Sequence, residues 1–175
     1  MGKILILYST IDGQTKKICQ RIQSVVVNFG HEVRLVSIDE AFLEDLGGFD
    51  KVVVGASIRY GKHNKKVFEF VAKNEKYLEE KFSAFFSVNV VARKPDKNSP
   101  ENNPYLNKFL RQVPWRPDEV AVFAGKIDYQ KYRFIDRMII RFIMFLTKGP
   151  TDINSAVEFT NWEQVEKFGK VVSEM

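Results

Sequence analysis

The chain has little cysteine, little histidine and no long apolar run, and each scarcity excludes a class of protein. Of its 175 residues, one is cysteine and two are histidine. A single cysteine excludes an intramolecular disulfide and is typical of a reducing compartment. Cys19 falls on the apolar face of the first predicted helix, so we expect a buried, unreactive thiol. His31 and His63 stand in no recognisable motif, and we assign the chain neither a metal site nor a general base.

No leader pattern precedes the first predicted strand, because Met-Gly-Lys runs directly into an apolar segment. We therefore expect a protein that stays in the cytoplasm. Hydrophobic residues make up 45% of the chain and charged residues 28%, which is typical of a soluble globular protein. We find no repeat and no linker, so residues 1–175 are predicted to form one domain. The net charge of +5 is compatible with binding to a nucleic acid, an anionic substrate or a membrane surface.

Apolar strands alternate with amphipathic helices along the chain. Strands are predicted at Lys3–Tyr8, Glu32–Val36, Val52–Val54, Ser83–Val88 and Glu119–Ala124. Helices are predicted up to Gly30, from Asn64 with Val67, Phe68, Val71 and Ala72 inward, from Pro104, and after a capping box Thr160-x-x-Glu163. This alternation predicts an α/β fold, a doubly wound parallel sheet of order 2-1-3-4-5 with helices on both faces. Residues 126–156 break the pattern and are too long for a plain loop.

Three loops at the carboxyl ends of neighbouring strands are predicted to form one ligand site. The first offers hydroxyls and a glycine before a helix N-terminus, which suits a phosphate. The second brings an aromatic ring that can stack on a planar ligand, and the third brings amides that can bond to a heterocycle edge. The predicted site residues are Thr10, Ile11, Asp12, Gly13, Gln14, Thr15, Ser57, Ile58, Arg59, Tyr60, Gly61, Ser87, Val88 and Asn89.

The chain lacks residues that ATPases, dinucleotide-binding proteins and response regulators require, so these three classes of protein are disfavoured. The first loop contains no Walker lysine and no G-x-G-x-x-G, which argues against an ATPase or a dinucleotide fold. A response regulator needs an acidic pair after the first strand and an aspartate after the third. The chain has Ser9-Thr10 and Ala56-Ser57 at these places.

The segment 126–156 carries most of the excess charge of the chain. Through residue 150 it holds six cationic and two acidic side chains. Arg133, Arg137 and Arg141 are spaced four apart, as on one stripe of a helix over 131–147, and apolar residues surround them. The run Met138–Leu146 is too short to span a bilayer. Three interpretations stay open: extra core, a helix in the membrane interface, or a lid that binds an apolar substrate with carboxylates. The last two are compatible. A nucleic-acid role is weaker, because no recognition motif accompanies the charge.

Several motifs together resemble one enzyme family across essentially the whole chain. Thr10, Gly13 and Thr15 match the flavodoxin phosphate loop, although Asp12 stands where a threonine is usual. Asn161 likewise replaces an acid common in the family. The other matching motifs are Gly55–Gly61, Ser87–Pro95, Trp115-Arg116-Pro117-Asp118, Tyr132-Arg133, Asp136-Arg137 and Asn161-Trp162-Glu163-Gln164-Val165. The chain is similar to the bacterial flavodoxin-like protoporphyrinogen oxidases, the quinone-dependent protoporphyrinogen IX dehydrogenases of heme biosynthesis.

This resemblance implies a flavodoxin-like three-layer sandwich, with the helical insert after or within the fifth strand. It implies FMN as cofactor, protoporphyrinogen IX as substrate and a membrane quinone, menaquinone or ubiquinone, as electron acceptor. It also implies that Arg133, Arg137 and Arg141 contact substrate carboxylates or lipid headgroups, at the inner face of the cytoplasmic membrane. Three alternatives remain: a flavodoxin electron carrier, which a pI near 9.2 disfavours; an NAD(P)H-dependent quinone reductase; and a flavin-free membrane adaptor.

Overall fold

A computed structural model describes residues 1–175 and contains one main sheet. Five strands of this sheet are parallel, in the order β2-β1-β3-β5-β6, and the short β4 pairs antiparallel with the end of β3. Without β4, this is the predicted order 2-1-3-4-5. The strands are β1 Lys3–Ser9, β2 Glu32–Ser37, β3 Lys51–Arg59, β4 Lys62–His63, β5 Phe82–Val88, β6 Glu119–Phe123, β7 Lys126–Asp128 and β8 Ala156–Glu158.

Helices cover both faces of the sheet and complete the predicted three layers. They are α1 Gln14–Asn28, α2 Lys65–Glu80, α3 Pro104–Gln112, α4 Phe134–Leu146 and α5 Trp162–Glu174. Apolar side chains of α1 and α5 pack on one face, and those of α2 and α3 pack on the other. Cys19 is buried under α1 as expected, and burial raises the pKa of its thiol. In open sheets of this kind, ligands bind at the edge where the parallel strands end.

Asparagine side chains fix the starts of several helices. Asn64 Oδ1 accepts from Lys66 N at 2.9 Å, and Asn103 Oδ1 accepts from Tyr105 N and Leu106 N at 3.2 Å. The predicted cap at Asn103 with proline at the first helical position is confirmed. The predicted capping box at Thr160 is wrong, since Asn161 caps α5 by accepting from Gln164 N.

Three predicted details of the elements differ in the structure. On α2, Phe70 is buried and Ala72 is exposed, because the apolar face follows Val67, Phe70, Val71 and Leu78. β3 is longer than Val52–Val54 and includes Ser57–Arg59, since β4 folds back to pair with its end. The predicted second loop is therefore a β-hairpin.

The segment after β6 folds as a unit of its own beside the carboxyl edge of the sheet. β7 and β8 form an antiparallel pair in which Lys126 faces Glu158, and α4 lies between them in sequence. Residues 126–158, called the insert below, extend two residues past the predicted boundary. Ile127, Tyr129, Tyr132 and Met144 form the small core of the insert. A single side chain of α4, Met144, is buried, which is against the interpretation of this helix as extra core.

Candidate functional site: a cleft between the sheet edge and the insert

A cleft of about 980 Å³, including its open mouth, lies between the ends of β1, β3 and β5 and the insert. Twelve of the fourteen predicted site residues line it; Gly13 and Ser87 do not. The other lining residues come from α3, the third loop and the insert: Val90, Val91, Tyr105, Gly125, Lys126, Ile127, Tyr132, Ile140, Ile143 and Met144. The sequence thus predicted the sheet side of the cleft and missed most of the opposite wall.

The first loop has the geometry of an anion site. Gly13 immediately precedes α1 and has φ of +93°, and nothing lies within 4 Å of a Cβ built on it. Thr10 Oγ1 accepts from Gly13 N at 3.0 Å and fixes the loop. The next amides belong to the first turn of α1 and have no acceptor within the helix. Thr15 Oγ1 is buried without any hydrogen-bond partner. A bound phosphate oxygen would satisfy this hydroxyl and the free amides together, so these residues fit a phosphate group.

Asp12 does not leave an unpaired negative charge beside this phosphate site. Its carboxylate forms an ion pair with the Arg59 guanidinium. Burial raises the pKa of Asp12, and Arg59 opposes this rise. The guanidinium of Arg59 also lies over the ring of Tyr132, 5.2 Å from the ring centroid. Arg59 therefore links the first loop to the insert across the cleft.

The predicted second loop is a two-residue hairpin turn at the mouth of the cleft. Tyr60 and Gly61 both have positive φ, 51° and 72°, and they connect the paired residues Arg59 and Lys62. Such angles are those of a type I′ turn, in which Tyr60 is strained relative to a glycine. The Tyr60 side chain is 51% exposed. The aromatic ring of Tyr60, at the mouth of the cleft, can therefore cover a planar ligand.

The third loop contributes less than predicted, because its polar side chains serve the fold. Ser87 points to the opposite face of β5 from Val88, and His63 Nε2 lies 2.9 Å from its hydroxyl. Asn89 Nδ2 donates to Ser87 Oγ and Asn103 Oδ1, while its Oδ1 accepts from Ala92 N. Ser87 therefore does not line the cleft, and strand alternation places it on the same face as Phe85. Val88, Val90 and Val91 supply an apolar wall instead.

None of Arg133, Arg137 and Arg141 lines the cleft; Arg133 immediately precedes α4, and the other two lie on it. Arg137 Nε donates to Tyr129 O at 2.9 Å, so this side chain folds back on the insert. Arg133 and Arg141 are exposed to solvent. The cleft side of α4 is apolar and consists of Ile140, Ile143 and Met144. Its outer side exposes the large apolar residues Phe134, Ile135, Met138, Ile139, Phe142, Phe145 and Leu146.

Comparisons with known proteins agree with this geometry. A family model described as a flavodoxin domain matches residues 5–154. The chain is 42% identical over 173 residues to Protoporphyrinogen IX dehydrogenase (quinone) of Escherichia coli K12, covering 99% of this chain and 96% of that protein. This chain belongs to the flavodoxin-like protoporphyrinogen IX dehydrogenase family. The relative of the same name from Leishmania major is 42% identical over 168 residues, covering 95% of this chain and 72% of that protein.

Solved structures of similar fold are flavodoxins. Flavodoxin 1 from Bacillus cereus superposes with a TM-score of 0.56 at 14% identity, covering 98% of this chain and 97% of that one. A flavodoxin from the domain Archaea superposes with a TM-score of 0.55 at 15% identity, covering 98% of this chain and 96% of that one. At such identity these likenesses show the fold alone, which confirms the predicted flavodoxin-like class.

Proposed function

We propose that this chain oxidises protoporphyrinogen IX to protoporphyrin IX and passes the electrons to a membrane quinone. The observation that carries the proposal is the 42% identity with the curated quinone-dependent enzyme along nearly the whole of both chains. That identity extends through the insert, which separates this chain from a plain electron carrier. The chain is accordingly an oxidoreductase with a flavin cofactor.

FMN is the form of flavin that the cleft fits best. One anion site, formed by the first turn of α1 and the unpartnered Thr15 hydroxyl, suits a single terminal phosphate. Tyr60 and the apolar pair Val90 and Val91 line the same cleft, and such side chains suit contact with a planar ring. When bound, the flavin supplies the redox chemistry by accepting hydrogen in two-electron steps and releasing electrons to the quinone.

The residues of the chain bind, orient and shield the reactants. Ile140, Ile143 and Met144 form an apolar wall opposite the sheet edge, which suits the flat macrocycle and excludes water. Arg59 contacts Asp12 and Tyr132 together, and so it holds the insert in register with the cofactor loop. Neither histidine lines the cleft, so we assign no general base.

The outer face of α4 suits contact with a membrane surface. Phe134, Phe142 and Phe145 are 74%, 62% and 71% exposed, and cations flank them at Arg133 and Arg141. Apolar rings can enter the headgroup region while arginines meet anionic lipids. The helices lack the combination of length and apolar character that a membrane span requires. We infer that α4 docks on the inner face of the cytoplasmic membrane, where it gives the cleft access to a lipid-soluble quinone.

Anaerobic turnover tests the proposed reaction directly. Purified holoprotein is mixed with protoporphyrinogen IX and menaquinone in anionic vesicles, and protoporphyrin fluorescence is followed. We expect porphyrin to appear only when quinone is present. Rapid reduction of the flavin by NAD(P)H, without porphyrinogen turnover, would contradict the proposal and favour a quinone reductase. Chromatography of the flavin released by denaturation distinguishes FMN from FAD.

Vesicle flotation tests the membrane contact separately. Phe134, Phe142 and Phe145 are replaced together by serine in one variant. Because these side chains are exposed, the variant should fold and retain flavin but lose flotation with anionic vesicles. Unchanged flotation would remove α4 as the docking element without affecting the proposed reaction.

A further inference from the structure

A second pocket lies on the other side of the hairpin turn from the cleft. Its rim carries Lys62, Lys65 and Lys108, and its floor and wall are Phe68, Phe109 and Tyr105. We call these six residues the lysine pocket. Phe109 is fully buried against Phe85, with ring centroids 4.1 Å apart, so the floor is rigid. The pocket thus combines an apolar base with a cationic rim.

The lysines on the rim carry more positive charge than their acidic neighbours neutralise. Lys65 forms an ion pair with Glu69 at 2.9 Å on α2, but Lys62 and Lys108 have no acidic partner. No carboxylate lines the pocket. His63, which also lines it, stays neutral because burial and the charge of Lys108 lower its pKa to about 3. A ligand entering here meets ammonium groups without a competing negative charge, which favours an anion.

The lysine pocket adjoins the cleft. Gly61 and Tyr105 line both spaces, so the two meet at the Tyr60–Gly61 turn. A ligand whose ring lies in the cleft can therefore extend a side chain past Gly61 to Lys62 or Lys108. The insert offers no comparable route, because Arg133, Arg137 and Arg141 do not line the cleft.

We propose that the lysine pocket receives the carboxylate side chains of the substrate while the apolar ring lies in the cleft. This assignment rests on the proposed function, since it is the porphyrinogen that brings carboxylates to this site. It moves substrate anchoring from the arginines of α4 to the lysines of β4 and α3. The exposed Arg133 and Arg141 are then free for the membrane surface.

The test compares the variant K62Q/K108Q with the control K167Q. Lys167 is an exposed lysine on α5, on the opposite face of the sheet. We expect the double variant to raise the KM for protoporphyrinogen about tenfold, as for loss of two partly exposed ion pairs, with kcat and flavin content unchanged. The dimethyl ester of the substrate, which lacks the charges, should have the same KM with all three proteins.

A binding measurement separates failure of this assignment from failure of the proposed function. Protoporphyrin IX, the free diacid, is titrated into holoprotein and binding is followed by fluorescence. Weaker binding by K62Q/K108Q, but not by K167Q, supports the pocket even if turnover is absent. Equal binding by all three proteins, or an equal loss for the dimethyl ester, would overturn the assignment even if turnover is normal.

Discussion

Two helices of thirteen residues, α4 and α5, bury very different shares of their apolar side chains. α5 buries Val165, Phe168 and Val172 against α1 and the sheet, whereas α4 buries only Met144. Gly169 allows α5 to approach Val25 so closely that a Cβ would lie 3.0 Å from the valine Cβ. α5 is part of the packed flavodoxin-like core, whereas α4 leaves most of its apolar side chains exposed. The difference shows that α5 contributes to the packed core of the protein, and it supports our proposal that α4 serves for contact with a membrane.

The largest expected difference between the two helices is in the free energy of unfolding that is lost when one phenylalanine of each is truncated to alanine. Phe168 is 7% exposed and Phe142 is 62% exposed. We expect Phe168→Ala to lower the free energy of unfolding by about 3–5 kcal/mol and Phe142→Ala to change it by less than about 0.5 kcal/mol. Urea denaturation measures both. Similar costs at the two positions would mean that α4 is packed as firmly as α5.

The pH dependence of the free energy of unfolding tests the burial of His63 in the sheet scaffold. Its pKa is lowered to about 3 in the folded protein, while an unfolded histidine titrates near 6.5. Only the unfolded chain takes up this proton between these values, so stability falls as the pH is lowered from about 6.5 toward 3. Between pH 7 and pH 5 we expect the wild type to lose about 2 kcal/mol more than His63→Gln. Parallel pH profiles from denaturation would exclude His63 as the cause.

A substitution in the proposed phosphate site, at the carboxyl edge of the sheet, is expected to have a smaller effect. Thr15→Val removes the unpartnered hydroxyl and nearly preserves the shape of the side chain. We expect flavin to bind about tenfold more weakly, since a hydrogen bond to a charged phosphate is lost. Thr151→Val in the insert is the matched control and should leave flavin affinity unchanged. Fluorescence titration of apoprotein measures both, and equal affinities would place the phosphate elsewhere.

The smallest expected effect concerns a single arginine of the insert. Arg141→Gln should weaken binding to anionic vesicles about fivefold, because each basic residue near such a surface contributes about 1 kcal/mol. The effect should fade as salt is added. Lys167→Gln on α5 should leave vesicle binding unchanged. Equal losses for the two variants would mean that net charge, and not α4, governs the attraction.

The sequence predicted what depends on local pattern and missed what depends on long-range contact. The strand–loop–helix arrangement at Gly13 was predictable because a strand, a glycine and a helix N-terminus adjoin in sequence. Tyr132 and Ile140 face the cleft only because the insert folds back over it, and no spacing in the sequence encodes that approach. Thr160 forms no cap because its hydroxyl donates to Ala124 O and accepts from Gln14 Nε2. The predicted helix over 131–147 is shorter in the structure and holds Arg137 and Arg141, while Arg133 precedes it. Arg137 folds back on Tyr129 O, and Arg133 and Arg141 point to solvent.

Removal of the insert tests the division between scaffold and insert most directly. Lys126 and Glu158 face each other in the β7–β8 pair, so a two-residue turn can join them in place of residues 127–157. Anaerobic turnover of protoporphyrinogen with menaquinone in vesicles is then compared with the intact protein, alongside flavin content. We predict that the shortened protein retains flavin and loses porphyrinogen turnover. Full turnover without the insert would contradict the account.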